Sequence, residues 1–159
     1  MNCRKKKFSL LYFDLNDFKA FNDTYGFENG DRILLFTASV IQKHTSLHKD
    51  SFLGHIGGDD FVAIIPGHDV YNLCQSITKE FDINISNFYN EDDREKGYIQ
   101  SFNRNNCEEN YPIMSISIAI VTDKNKSYTS IYELTEDAAK IKKKCKVQSK
   151  KMLKSCYLV

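Results

Sequence analysis

The sequence is poor in the residues that mark several classes of protein. It contains only two prolines, no tryptophan, and five cysteines, none of which forms a C-x-x-C pair. Zinc sites and the disulfide frameworks of small secreted domains depend on closely spaced cysteines. The cysteine pattern therefore argues against both, and it favours a reducing compartment such as the cytoplasm.

Long apolar runs and an excess of one charge are also missing. No segment reaches the length of a membrane span, and the N-terminal stretch lacks the apolar core of a signal peptide. The 22 basic and 21 acidic side chains give a net charge of +1, so no overall field attracts nucleic acid or an anionic membrane. We therefore expect a cytoplasmic domain with neither partner, although the charged residues from Lys140 onward are all lysines.

The hydrophobic pattern predicts an α+β fold. A chain of 159 residues suits one domain, residues 1–159, and we expect it to be a piece of a larger multidomain protein. Apolar runs predict strands over 8–13, 52–56, 61–65, 112–121 and 156–159, the fourth with one face crowded by apolar side chains. Helical spacing predicts helices over 15–26, 32–44, 70–81 and 131–145. Residues 89–110 are polar and aperiodic, which predicts a surface insertion with a small hairpin near Gly97. This order favours one mostly antiparallel sheet with helices packed on it.

Three carboxylates stand beside the predicted strands. Asp14 follows the first strand, and Asp59 and Asp60 lie in the Gly-Gly-Asp-Asp segment of a predicted hairpin. If the first strand lies beside this hairpin, the carboxylates converge, and their mutual repulsion calls for a cation. Mg²⁺ takes one or two carboxylates and completes its shell with water and phosphate oxygens, which suits phosphoryl or nucleotidyl transfer. The same segment also forms an ordinary turn, and these residues alone leave both interpretations open.

A longer sequence pattern around these residues favours the metal site over an ordinary turn. The stretch YFDLNDFKAFNDTYGFENGDRIL, followed later by GHIGGDDF, closely resembles the GGDEF family of diguanylate cyclase domains. The resemblance continues through SISIAIV and the lysine-bearing last helix, and it looks closest to members fused to EAL and CBS domains. It implies a nucleotidyl-cyclase, palm-like fold with a ferredoxin-like core, in cis with EAL/CBS or sensor domains.

The resemblance also implies a role for each matching residue. Asp14, Asp59 and Asp60 would be the catalytic carboxylates and would bind Mg²⁺, or Mn²⁺ in its place, together with the Leu15 carbonyl. The other matches would bind GTP, its guanine through Asn22 and Asp31, and its phosphates through the backbone amides near Phe18 and Lys19 and the side chains of Lys146 and Lys150. Taken singly, such residues also suit a helix cap or a solvated helix face.

Three positions of the site depart from the family pattern. Asp60 replaces the usual Glu, so its carboxylate reaches about 1.5 Å less far. A misplacement of about 1 Å can cost roughly 100-fold in rate, so metal and GTP binding could survive while turnover falls. Asn16 replaces the usual Asp, and Lys150 replaces an Arg that would grip phosphate with two donors.

Further departures concern regulation. Product-inhibited members carry an R-x-x-D motif before the hairpin, where this chain has His48 and Ser51. We therefore predict no high-affinity inhibitory site for cyclic di-GMP. His55 replaces a common Arg, and without a second histidine or a nucleophile it is expected to be a packed surface residue.

The sequence supports two functions of different class. In the first, two copies face each other as a homodimer, each with one GTP, and condense them into cyclic di-GMP and two pyrophosphates. In the second, motivated by Asp60, the domain binds GTP and regulates an attached EAL phosphodiesterase without forming product. A third, a protein-interaction domain that binds no nucleotide, requires Asp14, Asn22 and Asp31 to match by coincidence.

Overall fold

Alternating residue types in the first strand create two different faces of the central sheet. The computed structural model describes residues 7–159, and strand β1 (Phe8–Asn16) lies in the middle of that sheet. Leu11, Phe13 and Leu15 are at most 1% exposed and point to one face, whereas Asp14 points to the other. One strand therefore contributes both to the hydrophobic core and to a polar surface beneath a helix.

The other elements follow β1 in the chain. The helices are α1 (Phe18–Tyr25), α2 (Phe27–Thr45), α3 (Tyr71–Asn84), α4 (Glu91–Lys96) and α5 (Ile131–Met152), with a 3-10 helix at Ile85–Phe88. The strands are β2 (Phe52–Gly57), β3 (Asp60–Pro66), β4 (Tyr98–Phe102), β5 (Glu108–Pro112), β6 (Ser115–Thr122) and β7 (Cys156–Leu158).

The central sheet has five strands in the order β2-β3-β1-β6-β7. Its neighbouring strands are antiparallel except β6 and β7, which run parallel. Helices α2 and α3 pack on the side of Leu11, Phe13 and Leu15, here called the core face. Helix α5 packs on the side of Asp14 and Asn16, here called the α5 face. The predicted α+β fold with one mostly antiparallel sheet is confirmed.

Two elements extend beyond their predicted bounds. Strand β1 continues to Asn16, so Asp14 lies inside the sheet and not after the end of a strand. Helix α2 begins at Phe27 and not at Arg32, so Asp31 belongs to the helix. In both elements polar residues follow or precede the apolar run, and a hydrophobic pattern marks only the apolar part.

The segment from 89 to 110 is not a simple surface insertion, so that prediction was wrong in part. The Asn90 side chain accepts a hydrogen bond from the Asp93 N–H at 2.8 Å and caps α4, which ends at Gly97 with φ of 78°. Strands β4 and β5 then form the hairpin, whose turn lies at 103–107 and not at Gly97. Strand β4 packs on α1, so this hairpin supports a helix that carries predicted site residues.

Strand β6 is buried on both faces. Its isoleucines lie on the core face, and Ser115 and Ser117, which are 8% and 1% exposed, lie beneath α5. The apolar crowding on one face is confirmed, while the burial of the serine face was not anticipated. It arises because these hydroxyls hydrogen-bond to other buried polar groups.

None of the helices in residues 7–159 combines the length and apolar composition needed to cross a membrane.

Four cysteines of the described chain are free thiols. Cys107 is exposed, and Cys74, Cys145 and Cys156 are buried. Cys3 lies outside the described residues.

Candidate active site

Asp14 and Asp60 are cross-strand neighbours at one end of the sheet. Strands β2 and β3 are joined by a two-residue turn of Gly58 and Asp59, so Asp60 is the first residue of β3. Gly58 has φ of 58°, a conformation that favours glycine in such turns. The register places Asp60 directly opposite Asp14, with both side chains on the α5 face. The hairpin therefore delivers one carboxylate beside the carboxylate of β1.

Asp59 does not join this pair. Within residues 7–159, no three His, Cys, Asp or Glu side chains lie together as a metal-binding cluster. Asp59 lies in the turn, outside the strand that carries Asp60. The structure thus brings together two of the three carboxylates that the sequence predicted to converge.

Lys142 of α5 binds both carboxylates and was missed by the sequence analysis. Its Nζ lies 2.6 Å from Asp14 Oδ2 and 2.8 Å from Asp60 Oδ1. The same ammonium lies 4.5 Å from the centre of the Tyr12 ring, within the range of a cation–π contact. The sequence could have indicated Lys142 by its position. It lies one helical turn after Ala138 and shortly before Cys145, which are both buried, so it faces the sheet as they do.

Lys146 and Lys150 extend the same row of α5, each one turn further along. Lys146 Nζ lies 2.6 Å from Asp14 Oδ1, as an ion pair without hydrogen-bond geometry. Lys150 Nζ lies 3.7 Å from Asp17 Oδ1 and its side chain is 63% exposed. The predicted phosphate-binding lysines therefore line the acidic end of β1 and the loop that follows it.

Burial and the lysines act in opposite directions on the two carboxylates. Burial raises the pKa of Asp14 above its ordinary value, and the ammonium groups of Lys142 and Lys146 offset only part of this effect. Burial also opposes the ionisation of Asp60, but the hydrogen bond from Lys142 and the contact with Asp14 outweigh it, so the pKa of Asp60 is lowered. Burial likewise opposes the charge of Lys142, yet its two carboxylate partners raise its pKa. Asp60 is consequently the more readily ionised member of the pair.

Asn16, which departs from the family pattern, joins β1, β6 and α5. The nitrogen of its side-chain amide lies 2.9 Å from the hydroxyls of Ser115 and Ser117 and 3.0 Å from that of Ser149, so its two N–H groups are shared among three acceptors. The Ser117 hydroxyl donates back to Asn16 Oδ1 at 3.1 Å. A carboxylate could not donate these bonds. Asn16 therefore fixes α5 on the sheet, and with it the row of lysines.

Asn22 and Asp31 lie on α1 and α2. Asn22 Oδ1 is buried and accepts no hydrogen bond from any described residue. Gly30 lies so close that an added Cβ would be 1.8 Å from that oxygen, which requires glycine at this position. The contact brings the residue before Asp31 against Asn22, and Asp31 itself is exposed. A buried acceptor without a donor is suited to an N–H group of a ligand.

The start of α1 presents free backbone amides. Asp17 precedes the helix with φ of 63°, and Phe18 and Lys19 are its first two residues. The first N–H groups of a helix have no intrahelical partner and attract anions. The Lys19 side chain is 77% exposed and pairs with Asp23 at 2.8 Å, so only its backbone faces the predicted phosphate site.

Two predictions concern residues in or near the β2–β3 hairpin: His55 as a packed surface residue, and His48 with Ser51 in place of the inhibitory motif. His55 stacks on Phe61 with ring centroids 4.5 Å apart, and its Nε2 lies 2.8 Å from the Gly58 carbonyl oxygen, which confirms a packed surface histidine. His48 and Ser51 form a turn in which the Ser51 N–H donates to the His48 carbonyl at 3.2 Å. The absence of an inhibitory cyclic di-GMP site stays a prediction.

The carboxylate pair fits a divalent cation of the hard type. Asp14 is 2% exposed, and each of its two carboxylate oxygens already faces a cation, Lys142 Nζ or Lys146 Nζ, at 2.6 Å. Mg²⁺ uses only one or two carboxylates. Leu15 follows Asp14 in β1, and Asp59 precedes Asp60 in the chain. A divalent cation at this end of the sheet would take the place of the charge that Lys142 supplies.

Comparisons with known proteins agree with this architecture. The family model described as "Diguanylate cyclase, GGDEF domain" matches residues 1–151. A diguanylate cyclase of Vibrio cholerae is 30% identical over 80 residues, which are 48% of this chain and 24% of that protein. The diguanylate cyclase DgcS of Shewanella oneidensis is 36% identical over 80 residues, 49% of this chain and 26% of that protein. The matches thus span about a quarter of each relative's length.

Solved structures share the fold at low identity. The GGDEF domain of YfiN from Pseudomonas aeruginosa is 17% identical with a TM-score of 0.67, and the match covers 99% of this chain and 86% of that one. The GGDEF domain of DgcB from Caulobacter crescentus, solved with cyclic di-GMP, is 21% identical with a TM-score of 0.56 and coverages of 96% and 78%. The predicted kinship with EAL- and CBS-fused members stays a prediction. By its sequence and its fold, the chain belongs to the GGDEF family of diguanylate cyclase domains.

Proposed function

We propose that this domain is a diguanylate cyclase, which joins two GTP molecules into cyclic di-GMP and releases two pyrophosphates. The observation that carries this proposal is the pair of Asp14 and Asp60, held side by side by a cationic group at one end of the sheet. A GGDEF-family chain with two adjacent carboxylates retains the charge needed to position a metal–nucleotide complex.

Each residue has a defined part in the proposed reaction. Asp60 accepts the proton of the ribose 3′-hydroxyl while that oxygen attacks the α-phosphorus of the GTP on the partner copy. The bond from the α-phosphorus to the bridging oxygen then breaks, and pyrophosphate leaves. The residues that bind GTP are Asn22 and Asp31 for guanine, and the amides of Phe18 and Lys19 with the side chains of Lys146 and Lys150 for the phosphates.

Mg²⁺, or Mn²⁺ in its place, would neutralise charge on the phosphates and on the attacking oxygen. Asp14, Asp59, Asp60 and the Leu15 carbonyl would hold it. Burial opposes the ionisation of Asp60, but the hydrogen bond from Lys142 lowers the pKa of Asp60, so that side chain is ionised at neutral pH. Release of Lys142 removes this lowering and makes Asp60 the stronger base that the proton transfer requires.

A product assay tests the proposal. The chain is incubated with Mg²⁺ and GTP, and cyclic di-GMP is measured by chromatography while GTP binding is measured in parallel. Product should form, and it should disappear in Asp14→Asn and Asp59→Asn. Asp92→Asn is the matched control, because Asp92 is exposed on α4 and this variant should retain activity.

The dimer requirement has its own signature. One copy places only half of the reactants, so the rate at high dilution should rise with the square of the protein concentration. A rate that is linear in protein concentration would contradict a mechanism in which two copies face each other.

A second function is favoured by one feature of the site. Asp60 is short, and its Oδ1 is engaged by Lys142 at 2.8 Å. Such a domain could bind GTP without turnover and control an attached EAL phosphodiesterase. GTP binding without product, with product gained in Asp60→Glu, would favour this regulatory function over the cyclase.

The cellular setting belongs to the same proposal. We expect the domain to act in the cytoplasm, in cis with EAL/CBS or sensor domains.

A further inference from the structure

Lys142 is the best-enclosed cation of the lysine-rich helix. Its side chain is 22% exposed, compared with 40% for Lys146 and 63% for Lys150. Its stem lines an apolar cavity of about 560 Å³ between the sheet and α5, with Leu10 and Val62 on the opposite wall. The stem therefore lies in apolar surroundings while the ammonium reaches the carboxylates.

The position of its ammonium coincides with that of a shared cation. Nζ forms an ion pair with one Asp14 oxygen at 2.6 Å, and it donates a charge-assisted hydrogen bond to one Asp60 oxygen at 2.8 Å. A metal ion held by these two carboxylates would need oxygens that Nζ now contacts at 2.6 Å and 2.8 Å, and Mg²⁺ binds such oxygens at about 2.1 Å. The ammonium and the metal ion cannot occupy this space together.

The position of the Lys142 ammonium is also fixed by residues outside the carboxylate pair. Asn16 binds Ser149, which lies two helical turns beyond Lys142 on the same side of α5. The buried Ala138 and Cys145 hold the helix on either side of Lys142. The Tyr12 ring, 4.5 Å from Nζ, adds a further contact. Lys142 is thus held at the carboxylates by the packing of α5 and not by a chance surface rotamer.

We propose that Lys142 is an internal cation that a divalent metal ion must displace from Asp14 and Asp60 before the metal can bind. This rests on the proposed function, because it takes those carboxylates as metal ligands. Lys142 stabilises the pair when no metal is bound, and it weakens metal affinity by occupying the same oxygens.

Metal binding without nucleotide tests the competition. Mn²⁺ is titrated into the intact chain, and free Mn²⁺ is measured by electron paramagnetic resonance. Lys142→Met should bind Mn²⁺ at least about tenfold more tightly, since the metal no longer displaces a charged hydrogen-bond donor. Lys143→Met is the matched control, because Lys143 is the exposed neighbour in the chain and should leave the affinity unchanged.

Asp14→Asn separates the inference from the proposed function. If Asp14→Asn weakens binding and Lys142→Met leaves it unaltered, the metal site stands and the competition is overturned. If Asp14→Asn has no effect in either lysine background, Asp14 is not a ligand, and the metal site of the proposed function is overturned as well. Lack of measurable Mn²⁺ binding by both the unaltered protein and Lys142→Met also overturns both.

A measurement on the unaltered protein removes any dependence on the folding of a variant. The chain is acetylated briefly with and without Mg²⁺, and each lysine is quantified by mass spectrometry. Lys142 should react more slowly than Lys143 without the metal, and Mg²⁺ should raise its reactivity relative to that reference. Labelling of Lys142 that Mg²⁺ lowers or leaves unchanged contradicts displacement.

Discussion

The two faces of the central sheet are built from alternate residues of the same strands and carry different duties. On the core face, Phe13 of β1 lies opposite Phe61 and Ile118, and all three are at most 3% exposed. On the α5 face, one residue further along, Asp14 lies opposite Asp60 and Ser117. The core face is apolar and fully buried at this position, whereas the α5 face places a buried carboxylate and a buried serine beside the half-buried Asp60.

The α5 face is held by polar contacts and not by apolar burial alone. A buried polar group is costly unless every partner is present, so its contacts specify one arrangement of α5 on the sheet. Apolar contacts on the core face are less directional and tolerate side chains of similar volume. Mutations on the two faces should therefore differ in kind as well as in size.

The largest effect should come from the core face. Phe13→Ala removes a fully buried aromatic side chain, so the free energy of unfolding should fall by about 3–5 kcal/mol. Urea unfolding followed by circular dichroism measures the change. Phe102→Ala, which alters a 59% exposed phenylalanine, is the control and should change little. Equal losses in both variants would contradict the assignment of Phe13 to the core.

The polar contacts of α5 come next. Asn16→Ala leaves the hydroxyls of Ser115 and Ser149 without this donor, so the free energy of unfolding should fall by about 2–3 kcal/mol. Hydrogen exchange should accelerate in α5 more than in α3, because only α5 loses its anchor. The exposed Asn110→Ala provides the matched control. Uniform acceleration in both helices would show that Asn16 does not act through α5.

A smaller effect on stability, but a clear one on binding, is expected at Gly30. Gly30→Ala places a Cβ about 1.8 Å from Asn22 Oδ1, so the Asn22 side chain must move. GTP affinity measured by calorimetry should fall at least about tenfold, with a stability loss of about 1–2 kcal/mol. Gly54→Ala is a control at another tightly packed glycine, away from Asn22. Unchanged GTP affinity in Gly30→Ala would rule out Asn22 as a guanine ligand.

The smallest effect concerns the contact between Asp123 and His68 at the far end of the sheet. Burial opposes the charge of Asp123, but His68 Nε2 at 2.6 Å and the Phe8 N–H at 3.1 Å outweigh it and lower the pKa of Asp123. Because this pKa is below the value of 3.8 for a free side chain, the stabilisation is complete above that pH and is lost as the pH falls through the folded pKa.

Asp123→Asn should therefore lower the free energy of unfolding by about 1 kcal/mol near neutral pH. The difference in melting temperature from the unaltered protein should shrink as the pH falls below about 3.8. Asp69→Asn, at an exposed position near His68, serves as the control. If the difference in melting temperature instead grows as the pH falls, the pKa of Asp123 is not lowered in the folded protein.

The sequence predicted the core face better than the α5 face, and the reason is physical. Apolar periodicity locates Leu11, Phe13 and the isoleucines of β6, because burial of apolar surface dominates their placement. It does not show that Ser115 and Ser117 are also buried, since serines are usually exposed. Asp14 and Asp60 were found through the motif, but the separation of Asp59 from them depends on the register of the hairpin.

Lys142 shows more clearly what the sequence alone does not predict. The run Lys142, Lys143, Lys144 offers three identical side chains, and only the rotation of α5 decides which one faces the sheet. That rotation depends on the contact between Ser149 and Asn16, which joins residues far apart in the chain. A lysine stripe alone therefore identifies a basic helix and leaves its inward member unassigned.

The anchor at Ser149 has a consequence for how this helix can change in length. Each residue of an α-helix turns the chain by about 100°. Deleting one residue between Lys142 and Ser149 would rotate the lysine away from the carboxylates while the anchor stays in place. Losses or gains of residues should thus be tolerated in the loop before Ile131, and they should be rejected between Lys142 and Ser149, where they change the angle between the lysine and its anchor.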